Sequence, residues 1–165
     1  MAVSRRFDAD VQSVAALMTD PDFIVDRCLA IGELSAECHA DEDRDSVTLH
    51  TTRVARQDLP GFLTKLVGEE QTVTVHEVWQ RVADDGEDRY AGRYTVRSAM
   101  APIEIEGRFT LEADASGSLY KVEHRFRVPI PLIAGRIEKV LRRQITATVE
   151  AELAYAAERL AGAAQ

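Results

Sequence analysis

The sequence has no long hydrophobic run and no surplus of positive charge, and each absence excludes a class of protein. No apolar run reaches the ~18 residues that a membrane-spanning helix requires, so we expect no stable membrane insertion. The formal net charge is −8. A surface of that sign repels phosphate backbones, so we expect no nucleic-acid partner. The N-terminus also lacks the apolar segment of a signal peptide, which favours a cytoplasmic location.

Residues and motifs that carry chemistry are also scarce. The two cysteines, Cys28 and Cys38, form no C-x-x-C pair, and we interpret them as reduced, small apolar side chains. The chain contains no P-loop, no G-x-S-x-G and no G-x-G-x-x-G. The histidines lack the sequence spacing of a metal site, and they are His39, His50, His76 and His124. The sequence therefore predicts no metal, no cofactor and no recognisable catalytic set.

The composition that is present is typical of a globular protein. The chain has 165 residues, of which 45% are apolar and 29% charged, and this fits one domain over residues 1–165. Period-two alternation predicts a first strand at 3–7 and six more strands in the middle of the chain. These six strands are predicted at 34–40, 46–56, 71–82, 88–98, 103–113 and 118–128.

Helical spacing of apolar residues appears in four places. One helix is expected at 11–18 after a cap at Asp8 or Asp10, and another begins at Pro21 after Asp20 and stops at Gly32. A single helical turn is expected at 59–66. A long helix should run from Pro131 to about Ala161, with Gly162 as its C-cap.

Tight turns between the predicted strands, such as Asp84-Asp85-Gly86, indicate an antiparallel meander. About 30 residues at ~1.5 Å each make the last helix long enough to cross such a sheet. We therefore predict an α+β fold in which a curved antiparallel sheet of about seven strands wraps around the long C-terminal helix. Two short helices follow strand 1.

Three stretches of the chain carry a resemblance to a known family. They are Val3-Ser4-Arg5-Arg6-Phe7-Asp8-Ala9, then Leu59-Pro60-Gly61-Phe62-Leu63 with Gly68 after it, and Gly135-Arg136-Ile137-Glu138-Lys139-Val140-Leu141 leading to Glu150 and Glu152. The chain resembles the START-like (SRPBCC, Bet v 1-like) superfamily, and most of all the actinobacterial DUF2505 family of unknown function. The resemblance implies a helix-grip fold with an apolar, ligand-sized space. The superfamily includes lipid and sterol carriers, polyketide cyclases, hormone receptors and chaperone co-activators, so it implies no single activity.

Three polar residues fall on strand faces that are otherwise apolar. Arg53, Glu77 and His124 each occupy an inward position of the alternating pattern. A buried charge without a partner is costly, so one interpretation is a structural ion pair or a strand end that reaches solvent. The other interpretation is that these groups orient a ligand inside an apolar pocket.

Four further residues complete the candidate ligand site. Trp79 and Tyr94 share the inner strand faces, and Trp79 is a pocket or a core aromatic, with the core favoured. Gln144 and Thr148 interrupt the apolar stripe of the last helix at its middle and should face the sheet, either as tolerated polar residues or as hydrogen-bonding partners of a ligand. The candidate ligand-binding residues are Arg53, Glu77, Trp79, Tyr94, His124, Gln144 and Thr148.

Three hypotheses for the function follow from these patterns. The first is binding of a small hydrophobic or amphipathic molecule, such as a lipid, isoprenoid or polyketide-like compound. The second is a cyclase or dehydratase, which requires Glu77 and His124 within about 3 Å of each other or joined through one water. The third is a protein-interaction module with a filled core and an exposed apolar patch. The patterns indicate neither the identity of the ligand nor an oligomeric state.

Overall fold

The computed structural model describes residues 2–56, 59–84 and 87–165, and these form seven strands and four helices. The elements in chain order are β1 Ala2–Phe7, α1 Val11–Met18, α2 Pro21–Ala30, β2 Ser35–Glu42, β3 Ser46–Arg56, α3 Gly61–Val67, β4 Glu70–Asp84, β5 Glu87–Ser98, β6 Glu104–Asp114, β7 Gly117–Arg127 and α4 Ala134–Ala163.

The two N-terminal helices begin where acidic side chains cap them. The carboxylate of Asp10 accepts a hydrogen bond from the Ser13 backbone N–H at 2.8 Å, and that of Asp20 accepts one from the Asp22 N–H at 3.0 Å. Such caps satisfy backbone donors that the first turn of a helix leaves unpaired. Both helices bury an apolar face, which includes Val14 and Met18 of α1 and Phe23 and Ile24 of α2.

All seven strands pair antiparallel in one curved sheet with the order β1-β7-β6-β5-β4-β3-β2. The predicted alternation is clearest in β6, where Ile105, Phe109 and Leu111 are buried while Glu106 and Arg108 are exposed. The helix-grip architecture predicted from the sequence is therefore confirmed. The predicted turn at Asp84-Asp85-Gly86 lies outside the described residues from Asp85 onward.

Several predicted boundaries differ from the structure. Helix α4 begins at Ala134 instead of Pro131, because Leu132 has a positive φ of 67° that a helix does not tolerate. It ends at Ala163, so the predicted C-cap at Gly162 is wrong, since alanines on both sides of this glycine favour the helix. Helix α3 has seven residues instead of a single turn.

The hydrophobic core consists of two clusters at opposite ends of α4. The larger cluster joins Phe7, Val14, Phe23 and their neighbours to Leu153 and Ala156 in the second half of α4. The smaller cluster joins Leu63 and Val128 to Ile137 near its start. The middle of α4 belongs to neither buried cluster, and the candidate site lies beneath it.

Two further properties bear on the predictions. Both cysteines are free, Cys28 buried and Cys38 partly exposed, as expected. None of the helices in the described part of the chain combines the length and the apolar character that a membrane-spanning helix requires.

Candidate ligand-binding site

Two adjoining cavities lie between the middle of α4 and the concave face of the sheet. Their volumes are about 70 Å³ and 80 Å³. They share a waist formed by Arg53, Val96, Ile145 and Thr148, whose side chains line both cavities. We call them the charged cavity and the apolar cavity, because their linings differ beyond this waist.

The apolar cavity lies toward the start of α4. Most of its lining is aliphatic and comes from α3, β6 and α4, including Leu63, Ile105, Ile137 and Leu141. Its polar lining residues, beyond those it shares with the charged cavity, are Glu33, Gln71, Ser98 and Gln144. This cavity could accommodate the hydrocarbon part of a molecule, because burial of apolar surface there removes it from water.

Four buried charged side chains form what we call the ionic cluster: Arg27 and Glu152 line the charged cavity, Glu33 lines the apolar cavity, and Arg53 lines both. Arg53 Nη1 lies 2.9 Å from Glu152 Oε1 and 3.0 Å from Glu33 Oε1. Arg27 Nη2 lies 3.9 Å from the other oxygen of Glu152. Each of these side chains is at most 15% exposed, so the charges interact with little screening by water.

The pKa values of the cluster agree with mutual stabilisation of opposite charges. Burial alone would lower the pKa of Arg53, but Glu152 and Glu33 outweigh burial and raise it. Burial would raise the pKa of Glu152, but Arg27 and Arg53 hold it below its usual value. Burial raises the pKa of Glu33, which Arg53 only partly opposes. Two arginines therefore face two carboxylates, and the cluster is close to neutral.

Four separate elements supply the cluster. Arg27 lies on the buried face of α2, among Phe23, Ile24 and Cys28. Glu33 follows α2 directly, where Gly32 turns the chain with a φ of 100°, a conformation that favours glycine. Arg53 points inward from β3 and Glu152 inward from α4, so the cluster ties both elements to the end of α2.

Glu77 on β4 lies beside the cluster and lines the charged cavity. Its Oε1 accepts a hydrogen bond from Trp79 Nε1 at 2.6 Å. Burial raises the pKa of Glu77 from 4.5 to about 7, although Arg27 and the tryptophan bond oppose the shift. The carboxyl group of Glu77 is therefore partly protonated at neutral pH, and in its protonated form it can also donate a hydrogen bond.

One cross-strand row runs from Glu77 through Tyr94 and Gly107 to His124. The Tyr94 ring lies over Gly107, where an added Cβ would be 2.2 Å from its carbon atoms. The absence of a side chain at Gly107 allows the Tyr94 hydroxyl to reach His124 Nδ1. Burial lowers the pKa of His124, which favours the neutral imidazole.

This row separates the two residues that the enzyme hypothesis requires close together. Three strand spacings put the backbones of β4 and β7 about 14 Å apart. Glu77 contacts Trp79, whereas His124 contacts Tyr94. The described contacts do not bring the two side chains together as that hypothesis requires.

The structure distributes the seven predicted residues over three environments. Arg53, Glu77, Tyr94 and Thr148 line the charged cavity, and Arg53, Gln144 and Thr148 line the apolar one. Trp79 is 1% exposed and packs against Phe109, with ring centroids 4.5 Å apart, in the larger core cluster. His124 lines neither cavity and lies beyond Tyr94.

Sequence reasoning missed three residues of the ionic cluster. Arg27 and Glu152 occupy buried stripes of their helices, so a charged residue on an apolar helix face was the available signal. No such pattern marks Glu33, because its inward direction depends on the turn at Gly32.

Solved structures of other proteins share this arrangement of a curved sheet and a long C-terminal helix. TTHA0849 from Thermus thermophilus superposes with a TM-score of 0.70 at 19% identity, covering 100% of this chain and 99% of that one. A START superfamily protein from Mycobacterium smegmatis gives a TM-score of 0.56 at 12% identity, covering 97% of each chain. Ara h 8.0201 gives 0.53 at 16% identity, covering 94% and 95%. The fold is therefore that of the START-like superfamily.

A family model described as "Protein of unknown function (DUF2505)" matches residues 2–160. The chain belongs to the DUF2505 family, as its sequence patterns indicated. No curated protein matches the sequence.

Proposed function

We propose that residues 1–165 act as a single cytosolic domain that binds a small amphipathic molecule beneath α4. The hydrocarbon part of the ligand would occupy the apolar cavity, and its polar end would lie at the ionic cluster. Three ionisable side chains, Arg27, Glu77 and Glu152, line only the charged cavity, and this difference supports the orientation, because ligand sites combine apolar walls with a few convergent polar groups. Lipid, isoprenoid and polyketide-like compounds all have this amphipathic character.

The charge balance supports a ligand whose polar end is uncharged. Arg27 and Arg53 are already matched by Glu152 and Glu33. A carboxylate or an ammonium group would add a further charge to a buried, nearly neutral cluster, and that costs desolvation energy without a matching partner. A hydroxyl or carbonyl group avoids this cost.

The single observation that carries the proposal is a pair of buried hydrogen-bond donors. Arg27 Nε and Arg53 Nε are buried and have no hydrogen-bond partner among the described protein atoms. A buried donor without a partner costs about 1–3 kcal/mol. A ligand oxygen in the charged cavity would relieve that cost.

The end of the sheet next to the apolar cavity offers a route for such a ligand. Antiparallel order brings α3, the β5–β6 connection and the β7–α4 connection to the same end of the sheet. Each carries an exposed large apolar side chain: Leu66, Met100 and Leu132. Exposed apolar groups at this end would lower the cost of transferring a hydrophobic molecule into the protein.

Thermal shift and calorimetry with matched eight-carbon probes test the proposal. We expect 1-octanol to stabilise the protein and to bind at least tenfold more tightly than octanoate or octylamine, because only the alcohol is uncharged. Thr148→Phe should abolish this binding by filling the waist between the cavities. Ala147→Phe adds the same ring to the exposed face of α4 and should leave binding unchanged.

Three outcomes would overturn the proposal. They are no stabilisation by any probe, equal loss of binding in Thr148→Phe and Ala147→Phe, and tighter binding of octanoate than of 1-octanol. A melting curve of each unliganded variant establishes that it folds.

A further inference from the structure

We propose that His39, Asp41 and His50 form a binding site for a divalent transition-metal ion of the Zn²⁺ type on the outer face of the sheet. This site is separate from the proposed ligand cavities and does not depend on them. The spacing of the histidines in the sequence does not indicate it, because the residues come from two strands.

The strand register brings the three residues together. His39 of β2 pairs directly with His50 of β3. Asp41 lies two residues after His39 and so shares its face of the sheet. The neighbours of His50 on β3, Leu49 and Thr51, are buried, so His50 points away from the core.

The distances fit a metal ion after small side-chain movements. One ligand atom from each residue lies within 4.8 Å of the other two. His50 Nε2 and Asp41 Oδ2 are 3.4 Å apart. Two ligands bound tetrahedrally to zinc at 2.0–2.1 Å lie about 3.4 Å from each other. This pair already has the required separation, and only the exposed His39 needs to move closer.

The imidazoles of the site already lie next to one another. The rings of His39 and His50 stack with their centroids 4.8 Å apart and their planes 15° from parallel. His76 of β4 meets the other side of His50 edge-on, also at 4.8 Å. His50 is therefore held between two rings, which reduces the side-chain entropy that metal binding would cost.

The chemistry of the donors selects the class of ion. Two imidazole nitrogens and one carboxylate oxygen suit Zn²⁺ and neighbouring divalent transition metals better than Ca²⁺ or Mg²⁺, which prefer oxygen ligands alone. His39 and Asp41 are exposed, so an ion can reach the site from solvent. Three protein ligands leave a fourth position for water or for a group from another molecule.

Calorimetry with ZnCl₂ tests the site, supported by NMR of the imidazole protons. We expect saturable binding of one Zn²⁺ per chain, with the signals of His39 and His50 shifting and that of buried His124 unchanged. Because one of three ligands is lost, His50→Gln and His39→Gln should each weaken binding at least tenfold.

One matched variant serves as the control. Asp43→Asn removes a neighbouring carboxylate of the β2–β3 turn and should not weaken binding more than about threefold. No saturable Zn²⁺ binding, or an affinity that His50→Gln and His39→Gln leave unchanged, would overturn the proposal. Equal loss of affinity in Asp43→Asn would overturn it as well. Thermal melts show whether each variant folds.

Discussion

Replacement of Glu77 by glutamine should change how the stability of the protein depends on pH. The pKa of this carboxyl group is about 7 in the folded protein against 4.5 for the ordinary group. A raised pKa means that the folded state binds the proton more tightly than the unfolded state. The contribution to stability is therefore fully present below pH 4.5 and is lost as the pH rises through 7.

The magnitude follows from the size of that pKa difference. One pKa unit corresponds to 1.36 kcal/mol, so ionisation of Glu77 in the folded protein lowers the unfolding free energy by about 3 kcal/mol. Glu77→Gln keeps an oxygen that can accept the hydrogen bond from Trp79 Nε1, but it cannot ionise. The variant should therefore gain about 3 kcal/mol relative to the wild type between pH 4.5 and pH 8.

Urea unfolding followed by fluorescence of Trp79, the only tryptophan, measures this directly. Glu37→Gln is the control, because it removes an exposed carboxylate of the same size from β2. Its curve of unfolding free energy against pH should stay parallel to that of the wild type. If the Glu77→Gln curve were parallel as well, the reasoning about a buried, partly protonated carboxyl would be refuted.

Three further changes test other parts of the structure. Glu152→Ala removes a partner from two buried arginines and should lower the unfolding free energy by about 3–5 kcal/mol. The control Glu150→Ala removes an exposed carboxylate and should lower it by less than about 0.5 kcal/mol. Urea unfolding that gives similar losses of unfolding free energy for the two variants would contradict this. Gly107→Ala should cost about 1–3 kcal/mol, because the new methyl group would overlap the tyrosine ring above it, and an unchanged melting temperature would count against that contact. Burial raises the pKa of Cys28 to about 11, so a thiol reagent at pH 8 should label Cys38 first; faster labelling of Cys28 would disprove this order.

The sequence was sufficient for the fold because local signals agreed with one another. The alternation in β6 separates Ile105 and Phe109 from Glu106 and Arg108, and the structure buries the first pair and exposes the second. The aspartate before α2, Asp20, caps that helix as expected. Period and capping depend on nearby residues, which a sequence displays directly.

The candidate site was less predictable because its contacts join distant segments. Glu152 and Arg53 are 99 residues apart, and their pairing depends on the rotation of α4 over the sheet. The contact of Tyr94 with His124 depends on the open space at Gly107, which only the register of three strands reveals. Arg53 and Glu77 were predicted because they are polar residues on apolar strand faces, whereas Arg27 and Glu152, which are charged residues on helix faces, were not predicted.

The most direct test of the central claim is an NMR titration of methyl groups with 1-octanol. We predict progressive, saturable shifts for the methyl groups of Ile145, Thr148 and Val96, which line both cavities. The methyl group of Ala147, on the exposed face of the same helix, should stay unchanged. Shifts confined to exposed methyl groups such as those of Ala147 and Leu132, with Ile145 and Thr148 unaffected, would contradict a ligand site beneath α4.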